Sequence, residues 1–209
     1  MRKQVATTLA GGLIAYGAVA AQAAAQLHLP AREFSYDYVE GGVVLTEYDR
    51  DGLDQDPVGP RIIGSTALSR HVFVRGEASY LTDDIDVTTL AVGPGVRLPA
   101  GSAIDLYGVA SLVTRDTDPD GGSSESGTGY QVTAGIRHSC PLLDNMAYTW
   151  EIDYLDVDTF EDFDDGVVNL TAKGVYALAP QWDAVADLQI NDAGDGDELG
   201  LVIGGRYNF

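Results

Sequence analysis

One acidic segment of the chain has the residue spacing of a calcium-binding loop. Asp116, Asp118 and Asp120 alternate with other residues and a glycine follows, which matches the first half of an EF-hand loop. The twelfth position of such a loop falls on Gly127, where a bidentate glutamate is required, and no flanking helix is predicted. We therefore expect a solvated acidic loop that binds Ca²⁺ or Mg²⁺ weakly at most, and no bound cofactor.

Groups that could activate water or act as nucleophiles are few in this chain. They are His28, His71, His138 and the single Cys140. One cysteine excludes an internal disulfide framework, so we expect an unpaired thiol in a turn, with an intermolecular disulfide as the alternative. A histidine can act in catalysis only if the fold places it at the same end as the carboxylates. The elements that position these residues therefore decide whether the chain is an enzyme.

The first 25 residues have the pattern of a secretory signal peptide. Arg2 and Lys3 give a positive start, the run 5–21 is uncharged, and two A-x-A cleavage sites precede residue 26. The alternative is an N-terminal membrane helix. It is disfavoured because the apolar run is short and broken by glycine, against a span of about 20 residues. We predict a signal peptide over 1–25 and one domain over 26–209.

Composition and charge narrow the class of protein further. The formal net charge is −20, which disfavours nucleic acid as a partner. Hydrophobic residues make up 45% of the chain and charged residues 21%, which is typical of a folded chain rather than a disordered one. The 11 tyrosines outnumber the 5 phenylalanines and 2 tryptophans together, and glycine is abundant at 25. This usage favours sheet surfaces that face an interface over a packed soluble core.

Alternation of apolar and polar residues, interrupted by turn signals, predicts ten β-strands. Tyr148, Trp150 and Ile152, for example, share one strand face, whereas Thr149 and Glu151 share the other. No amphipathic helix of useful length is predicted in the domain. The predicted strands cover 34–47, 61–69, 72–82, 86–98, 103–115, 129–139, 146–156, 167–178, 182–190 and 199–209.

Nearly every predicted strand carries charges on the face opposite its apolar face. A soluble β-sandwich instead buries a uniformly apolar face of each sheet. Apolar outer faces and charged inner faces fit a membrane barrel. We therefore predict an all-β fold, a single antiparallel transmembrane β-barrel of ten strands, with eight strands as the alternative. The predicted lumen charges are Arg75, Glu77, Arg97, Asp105, Arg137, Glu151, Asp153, Lys173, Asp187 and Arg206.

These lumen charges have two interpretations. A barrel of roughly eight strands is just filled by its side chains, and ten strands widen it only slightly. Buried charges must be paired, and the mixed signs permit pairing. We therefore favour a network of salt bridges and hydrogen bonds that fills a narrow interior. A small polar pore is the alternative.

Connections between the predicted strands alternate between two kinds. Four are short and nearly neutral, whereas five are longer and hold most of the chain's 32 acidic residues. With ten strands, both termini fall at the end of the short connections. The short connections are 69–71, 99–102, 140–145 and 179–181, and the acidic ones are 49–60, 83–86, 116–128, 157–166 and 191–198.

The last predicted strand, 199–209, has an apolar face that ends in Tyr207 and Phe209. A signal peptide, aromatic-edged alternating strands and this terminal strand resemble the small outer-membrane β-barrel proteins of Gram-negative bacteria. The resemblance implies that Tyr207 and Phe209 form the signal read by the barrel-assembly machinery. It also implies outer-membrane lipid and lipopolysaccharide as further partners, a monomer rather than an oligomer, and both termini on the periplasmic side.

Two enzyme classes built on similar barrels provide a test for activity. Omptin proteases, which resemble this chain in strand count, need acidic residues and a histidine at the outer rim. Barrels of the lipid A deacylase type use a His/Ser pair near the outer leaflet. In the predicted topology His28, His71 and His138 all fall at the periplasmic end, and His138–Ser139 is at the wrong end for a deacylase. We therefore predict no enzymatic activity.

Three functions fit the predicted architecture to different degrees. We favour a non-enzymatic outer-membrane barrel that presents acidic loops outward, for envelope integrity, surface interaction or adhesion. A narrow diffusion channel for small polar solutes is the alternative. A secreted soluble barrel for an apolar ligand, as in lipocalins, would need apolar lumen faces, and the predicted lumen charges disfavour it.

Overall fold

Ten β-strands of this chain form the wall of a closed antiparallel barrel. The predicted signal peptide over 1–25, His28 and Asp120 lie outside the described residues. The computed structural model describes residues 34–50, 53–83, 85–101, 103–119, 124–143, 145–157, 166–192 and 196–209.

The connections at the two ends overlap in length: 68–71, 100–103, 140–145 and 178–181 lie at one end, and 82–84, 120–124, 158–166 and 193–195 lie at the other. The predicted contrast between short turns and longer acidic loops is therefore only partly present, because the strands extend further at the acidic end than the sequence indicated. No helix in the described ranges is long and apolar enough to cross a membrane. The strands are β1 (Tyr38–Arg50), β2 (Leu53–Gln55), β3 (Val58–Ala67), β4 (Val72–Leu81), β5 (Ile85–Pro99), β6 (Ile104–Pro119), β7 (Glu125–Ser139), β8 (Met146–Val157), β9 (Val167–Ala177), β10 (Trp182–Asp192) and β11 (Gly196–Asn208).

The barrel closes where the first strand pairs with the last. This ladder runs from Tyr38 opposite Asn208 to Arg50 opposite Gly196. β2 adds no wall strand, because its three residues pair with the loop end of β1, where Leu53 lies opposite Arg50. The prediction of ten wall strands is confirmed, and the alternative of eight is wrong.

The hairpin of β6 and β7 is longer than the sequence predicted. Its ladder continues to Thr117 opposite Glu125. Asp116 and Asp118 therefore lie in a strand with their side chains on the outer face, and the prediction of a loop over 116–128 is wrong at both ends. The strand is supported by threonine, which is β-branched and favours extended backbone, including the cross-strand pair of Thr114 with Thr128.

Burial alternates along the strands between the lumen face and the outer face. In β6, Leu112 is 74% exposed whereas Val113 beside it is 2% exposed. At the turn end of the outer face, the rings of Trp182 and Tyr207 lie 5.0 Å apart. An apolar outer band that ends in aromatic residues is the lipid-facing wall of a membrane barrel.

Candidate functional site: the charged lumen

A continuous series of ion pairs crosses the lumen, and it starts on the closing strand. Arg206 Nη2 on β11 lies 2.6 Å from Glu40 Oε2 on β1. Lys173 Nζ on β9 donates to Glu40 Oε1 at 2.8 Å and lies 3.3 Å from Asp187 Oδ2 on β10. Because β1 and β9 are not neighbours in the sheet, the contact between Glu40 and Lys173 spans the interior.

The series continues along the other side of the lumen. Asp187 Oδ2 lies 3.6 Å from Arg61 Nη1, and Arg61 Nε donates to Glu77 Oε1 at 2.8 Å. Arg75 then joins two carboxylates, with Nη2 3.4 Å from Glu77 Oε2 and Nη1 2.9 Å from Glu151 Oε1. The sign of the charge alternates at each step, which compensates the loss of hydration of the buried groups. This ion-pair chain comprises Arg206, Glu40, Lys173, Asp187, Arg61, Glu77, Arg75 and Glu151.

All ten charges predicted to face the lumen lie on inward faces, but only six of them join the ion-pair chain. Arg97 pairs separately with Asp105, with Nη1 3.7 Å from Oδ2. Arg137 and Asp153 form no ion pair with any described side chain. Of the ten predicted charges, Arg137 and Asp153 are therefore the two without an ion pair to a described residue.

Two members of the ion-pair chain, Glu40 and Arg61, were not predicted from the sequence. Glu40 shares its strand face with Tyr38, so the pattern did not separate a polar from an apolar face. Arg61 precedes two adjacent isoleucines, Ile62 and Ile63, which face opposite sides of the wall and hide the alternation. The only feature of the sequence that pointed to a lumen role for Arg61 was its position as a cationic residue at the loop end of a predicted strand.

An aromatic cluster closes the lumen at the turn end. Tyr36, Phe73 and Tyr107 are buried, and the ring centroids of Tyr36 and Phe73 lie 4.5 Å apart. The Tyr107 ring lies 6.2 Å from Tyr36 and 6.4 Å from Phe73 in edge-on orientations. Tyr107 also donates a hydrogen bond to Glu151, so the aromatic cluster and the ion-pair chain are in direct contact.

Two arginines hold the segment before β1 inside the lumen. Arg97 Nη1 donates to the Phe34 carbonyl and Arg137 Nη1 to the Ser35 carbonyl, each at 3.2 Å. The guanidinium carbons of Arg97 and Arg137 lie 4.7 Å and 4.4 Å from the centroid of the Tyr36 ring. These cation–π contacts and carbonyl bonds replace part of the hydration that the two cations lose.

Two glycines make room for the aromatic cluster. A Cβ at Gly95 would lie 2.3 Å from Phe73 Cζ, and one at Gly135 would lie 2.3 Å from Tyr107 Cζ. The outer edge of each ring therefore lies against the backbone of a neighbouring strand. Any larger residue at position 95 or 135 would displace the ring of Phe73 or Tyr107 from the aromatic cluster.

The filled layer separates two cavities within the barrel. The turn-side cavity measures about 340 Å³ and is lined by Phe34, Arg137 and Arg206, among others. The loop-side cavity measures about 100 Å³ and is lined by polar residues that include Arg75 and Asp153. The ion-pair chain borders both cavities, through Arg206 at the turn-side cavity and through Arg61, Arg75, Glu77 and Glu151 at the loop-side cavity.

The acidic residues singled out for calcium are not assembled into a site in the described ranges. Asp116 and Asp118 lie two residues apart on the outer face of β6, in extended backbone rather than in a calcium loop. Asp120 lies outside the described residues. Within the described residues, no three or more His, Cys, Asp or Glu side chains come together in a way that could hold a metal ion.

Tyr207 and Phe209 both lie on the outer wall, next to the ladder of β1 with β11 that closes the barrel. Tyr207 contacts Trp182, and the Phe209 ring is exposed. The Phe209 backbone N–H donates to the Asp37 carbonyl at 3.2 Å, which fastens the last residue to the segment before β1. Their role as an assembly signal stays a prediction.

The described histidines and the cysteine lie near the turn end. His71 is exposed in the turn between β3 and β4. His138 lies on the outer face, where Trp150 Nε1 donates to its Nε2 at 3.4 Å. Cys140 is buried and its thiol is free. The hydrogen bonds described for these two histidines join them to the Arg97 and Ser139 carbonyls and to Trp150 Nε1, and none of them involves a carboxylate.

The chain was compared with curated proteins, solved structures and family models. A search of the curated proteins finds no match. The solved structure of the Neisserial surface protein A is similar at 15% identity and a TM-score of 0.48, over 84% of this chain and 98% of that one. Ail of Yersinia pestis is similar at 15% identity and a TM-score of 0.40, over 82% and 97%. The N-terminal barrel of Pseudomonas aeruginosa OprF is similar at 14% identity and a TM-score of 0.43, over 82% and 98%.

With TM-scores below 0.5, these likenesses to solved structures carry no argument. The family model for the outer membrane protein beta-barrel domain matches residues 11–174, which is more than half of the chain. The match agrees with the closed ten-stranded barrel, its lipid-facing outer band and its charged interior. The chain therefore belongs to the outer-membrane β-barrel protein family.

Proposed function

We propose that the protein is a closed, non-enzymatic outer-membrane barrel that presents acidic loops at the cell surface, for envelope integrity, surface interaction or adhesion. The observation that carries this proposal is the filled lumen. The ion-pair chain connects opposite walls, and the aromatic cluster lies directly below it. A solute would have to break several buried ion pairs to pass, and breaking each one is costly.

The orientation that we propose places both termini in the periplasm. Tyr38 and Asn208, at the two ends of the wall, lie opposite each other at the turn end of the barrel. The acidic connections lie at the other end, which also has the longest connection, 158–166, and outer-membrane barrels have short turns inside and longer loops outside. The acidic surface would then lie among the lipopolysaccharide headgroups, and the apolar wall among the lipid chains.

A narrow diffusion channel is the alternative function. It would need the two cavities of about 340 Å³ and 100 Å³ to join through the ion-pair chain. A liposome swelling assay separates the two functions, with a general porin as the positive control. We expect vesicles that contain this protein to swell in monosaccharide solution no faster than protein-free vesicles. Swelling at a rate proportional to the protein content would instead support the channel.

Cysteine labelling on intact cells tests the proposed orientation. In a Cys140→Ser background, Gly121→Cys introduces a thiol in an acidic connection and Leu142→Cys introduces one in a turn. A membrane-impermeant maleimide is expected to label the Gly121→Cys protein on intact cells and the Leu142→Cys protein only after lysis. The reverse pattern would contradict the proposed orientation without affecting the closed lumen.

A further inference from the structure

The loop-side half of the lumen contains a buried carboxylate without a cation. Asp153 on β8 is 4% exposed and forms no ion pair with a described side chain. Its Oδ1 accepts hydrogen bonds from Thr133 Oγ1 and from Gln131 Nε2, whereas Oδ2 accepts none from the described residues. An isolated buried carboxylate is costly, so a proton or a bound cation must neutralise it.

The groups around this carboxylate supply further oxygen atoms. Asn169 on β9 lies directly opposite Asp153 in the ladder, and its Oδ1 is buried without a hydrogen-bond partner. Opposite residues of an antiparallel pair have Cβ atoms roughly 5 Å apart, which is close enough to share one ion. Thr46, 6% exposed, also has a buried Oγ1 without a partner.

These oxygen atoms border one cavity. Asp153, Asn169 and Thr46 all line the loop-side cavity of about 100 Å³. A water molecule occupies about 30 Å³, so the cavity has room for an ion with a few retained waters. Glu198 lines the same cavity and adds a carboxylate.

We propose that the loop-side cavity binds a monovalent metal cation, Na⁺ or K⁺, through the Asp153 carboxylate and the side-chain oxygen of Asn169. An all-oxygen set selects hard cations rather than transition metals. Calcium sites draw on several carboxylates and backbone carbonyls, whereas two of the carboxylates that line this cavity, Glu77 and Glu151, are already paired with arginine. Of the described lining carboxylates, Asp153 and Glu198 have no ion pair, and only Asp153 lies opposite Asn169. Arg61 and Arg75 line the cavity as well and disfavour a doubly charged ion.

The test compares the stability of the refolded barrel in different chloride salts. The urea midpoint of unfolding is measured in NaCl, KCl and choline chloride at equal ionic strength, near pH 8. Choline screens charges equally but is too large for the cavity. Because a ligand that binds only the folded state stabilises it, we expect a higher midpoint in NaCl or KCl than in choline chloride. Equal midpoints in the three salts would overturn the proposal.

Matched variants assign the effect to the site. Asp153→Asn keeps an acceptor oxygen for Thr133 and Gln131 but removes the charge, and it is expected to abolish the difference between salts. Asp118→Asn, on the outer wall, is expected to retain it. Asn169→Asp places a further carboxylate directly opposite Asp153 and is expected to enlarge the difference and to create a response to CaCl₂. An unchanged difference in the Asp153→Asn protein would overturn the proposal.

A direct measurement on the unmodified barrel covers the case in which a variant does not fold. The ²³Na resonance is expected to broaden in the presence of the barrel and to sharpen when KCl is added as a competitor. No broadening, together with a urea midpoint that responds to pH but not to the cation, would show that a proton neutralises Asp153. That result would overturn the proposal. It would leave the closed lumen and the acidic surface unaffected.

Discussion

Arg75 and Glu151 form an ion pair across the interior of the barrel, with Nη1 2.9 Å from Oε1, although 76 residues separate them in the chain. Arg75 lies on β4 and Glu151 on β8, and three wall strands stand between them on the shorter path around the barrel. No backbone ladder links these two strands. The side chains therefore connect opposite walls, and the proposed closed lumen depends on contacts of this kind.

Removing one member of this pair should destabilise the barrel more than removing both. Arg75→Met leaves Glu151 buried without its partner, which costs about 3–5 kcal/mol. The double variant Arg75→Met, Glu151→Leu replaces the pair by apolar groups and should cost less. The free energy of unfolding in urea, measured in lipid vesicles, provides the comparison. If the double variant were destabilised as much as the single variant or more, Arg75 would not be offsetting the cost of burying Glu151.

Glycine at position 95 should be required for the packing of the aromatic cluster. In Gly95→Ala, the new Cβ would lie 2.3 Å from Phe73 Cζ, so the ring must move. Overpacking of this kind costs about 1–3 kcal/mol. Gly64→Ala is the matched control, because its Cβ would meet nothing within 4 Å on the outer wall. Urea unfolding should separate the two variants. An equal effect of both would argue against a tightly packed aromatic cluster.

A charge introduced on the outer wall should destabilise the barrel more strongly the deeper it lies in the membrane. Leu112 lies about halfway along β6 on the lipid-facing side, and an arginine there should cost about 2–4 kcal/mol. Asp118 faces the same side near the loop end of that strand, where an arginine should cost about 0–1 kcal/mol. The free energy of unfolding, measured in lipid vesicles, should be clearly lower for Leu112→Arg than for Asp118→Arg. The same cost at both positions would contradict a lipid-facing band at this depth.

The final aromatic residue should matter for delivery to the membrane. Deleting Phe209 removes the exposed ring and also the hydrogen bond from its backbone N–H to Asp37. We expect poor assembly and periplasmic degradation, seen as a loss of the heat-sensitive folded band from outer-membrane fractions. Phe209→Tyr keeps an aromatic ring and the backbone contact, and should assemble normally. Normal outer-membrane levels after the deletion would count against an assembly signal at this position.

The wall of the barrel could be predicted from the sequence because period-two alternation records which face each residue occupies. In β8, Trp150 and Ile152 face lipid while Glu151 and Asp153 face the lumen, as the pattern indicated. Alternation failed where apolar residues were adjacent, as at Ile62 and Ile63 beside Arg61. It also failed for the ends of β6 and β7, because Asp and Gly were interpreted as turn signals although strand pairing extends past them.

The pairing inside the lumen could not be predicted in the same way. Alternation shows that a residue points inward, but not which residue it meets across the interior. Lys173 and Glu40 are 133 residues apart, and their contact depends on the closure of β1 against β11. The cluster around Tyr36 was missed for a related reason. Tyr36 precedes the first wall strand, so its burial depends on Phe73 and Tyr107, which the barrel brings to the same end.

Single-channel recording in planar lipid bilayers tests the closed lumen most directly. After verified insertion of the folded protein, detected by its heat-sensitive gel mobility in lipid, a voltage ramp in concentrated KCl should give no step current above that of the lipid alone. Reproducible current steps of uniform size would show that ions cross between the two cavities, and would contradict a lumen closed by the ion-pair chain and the aromatic cluster.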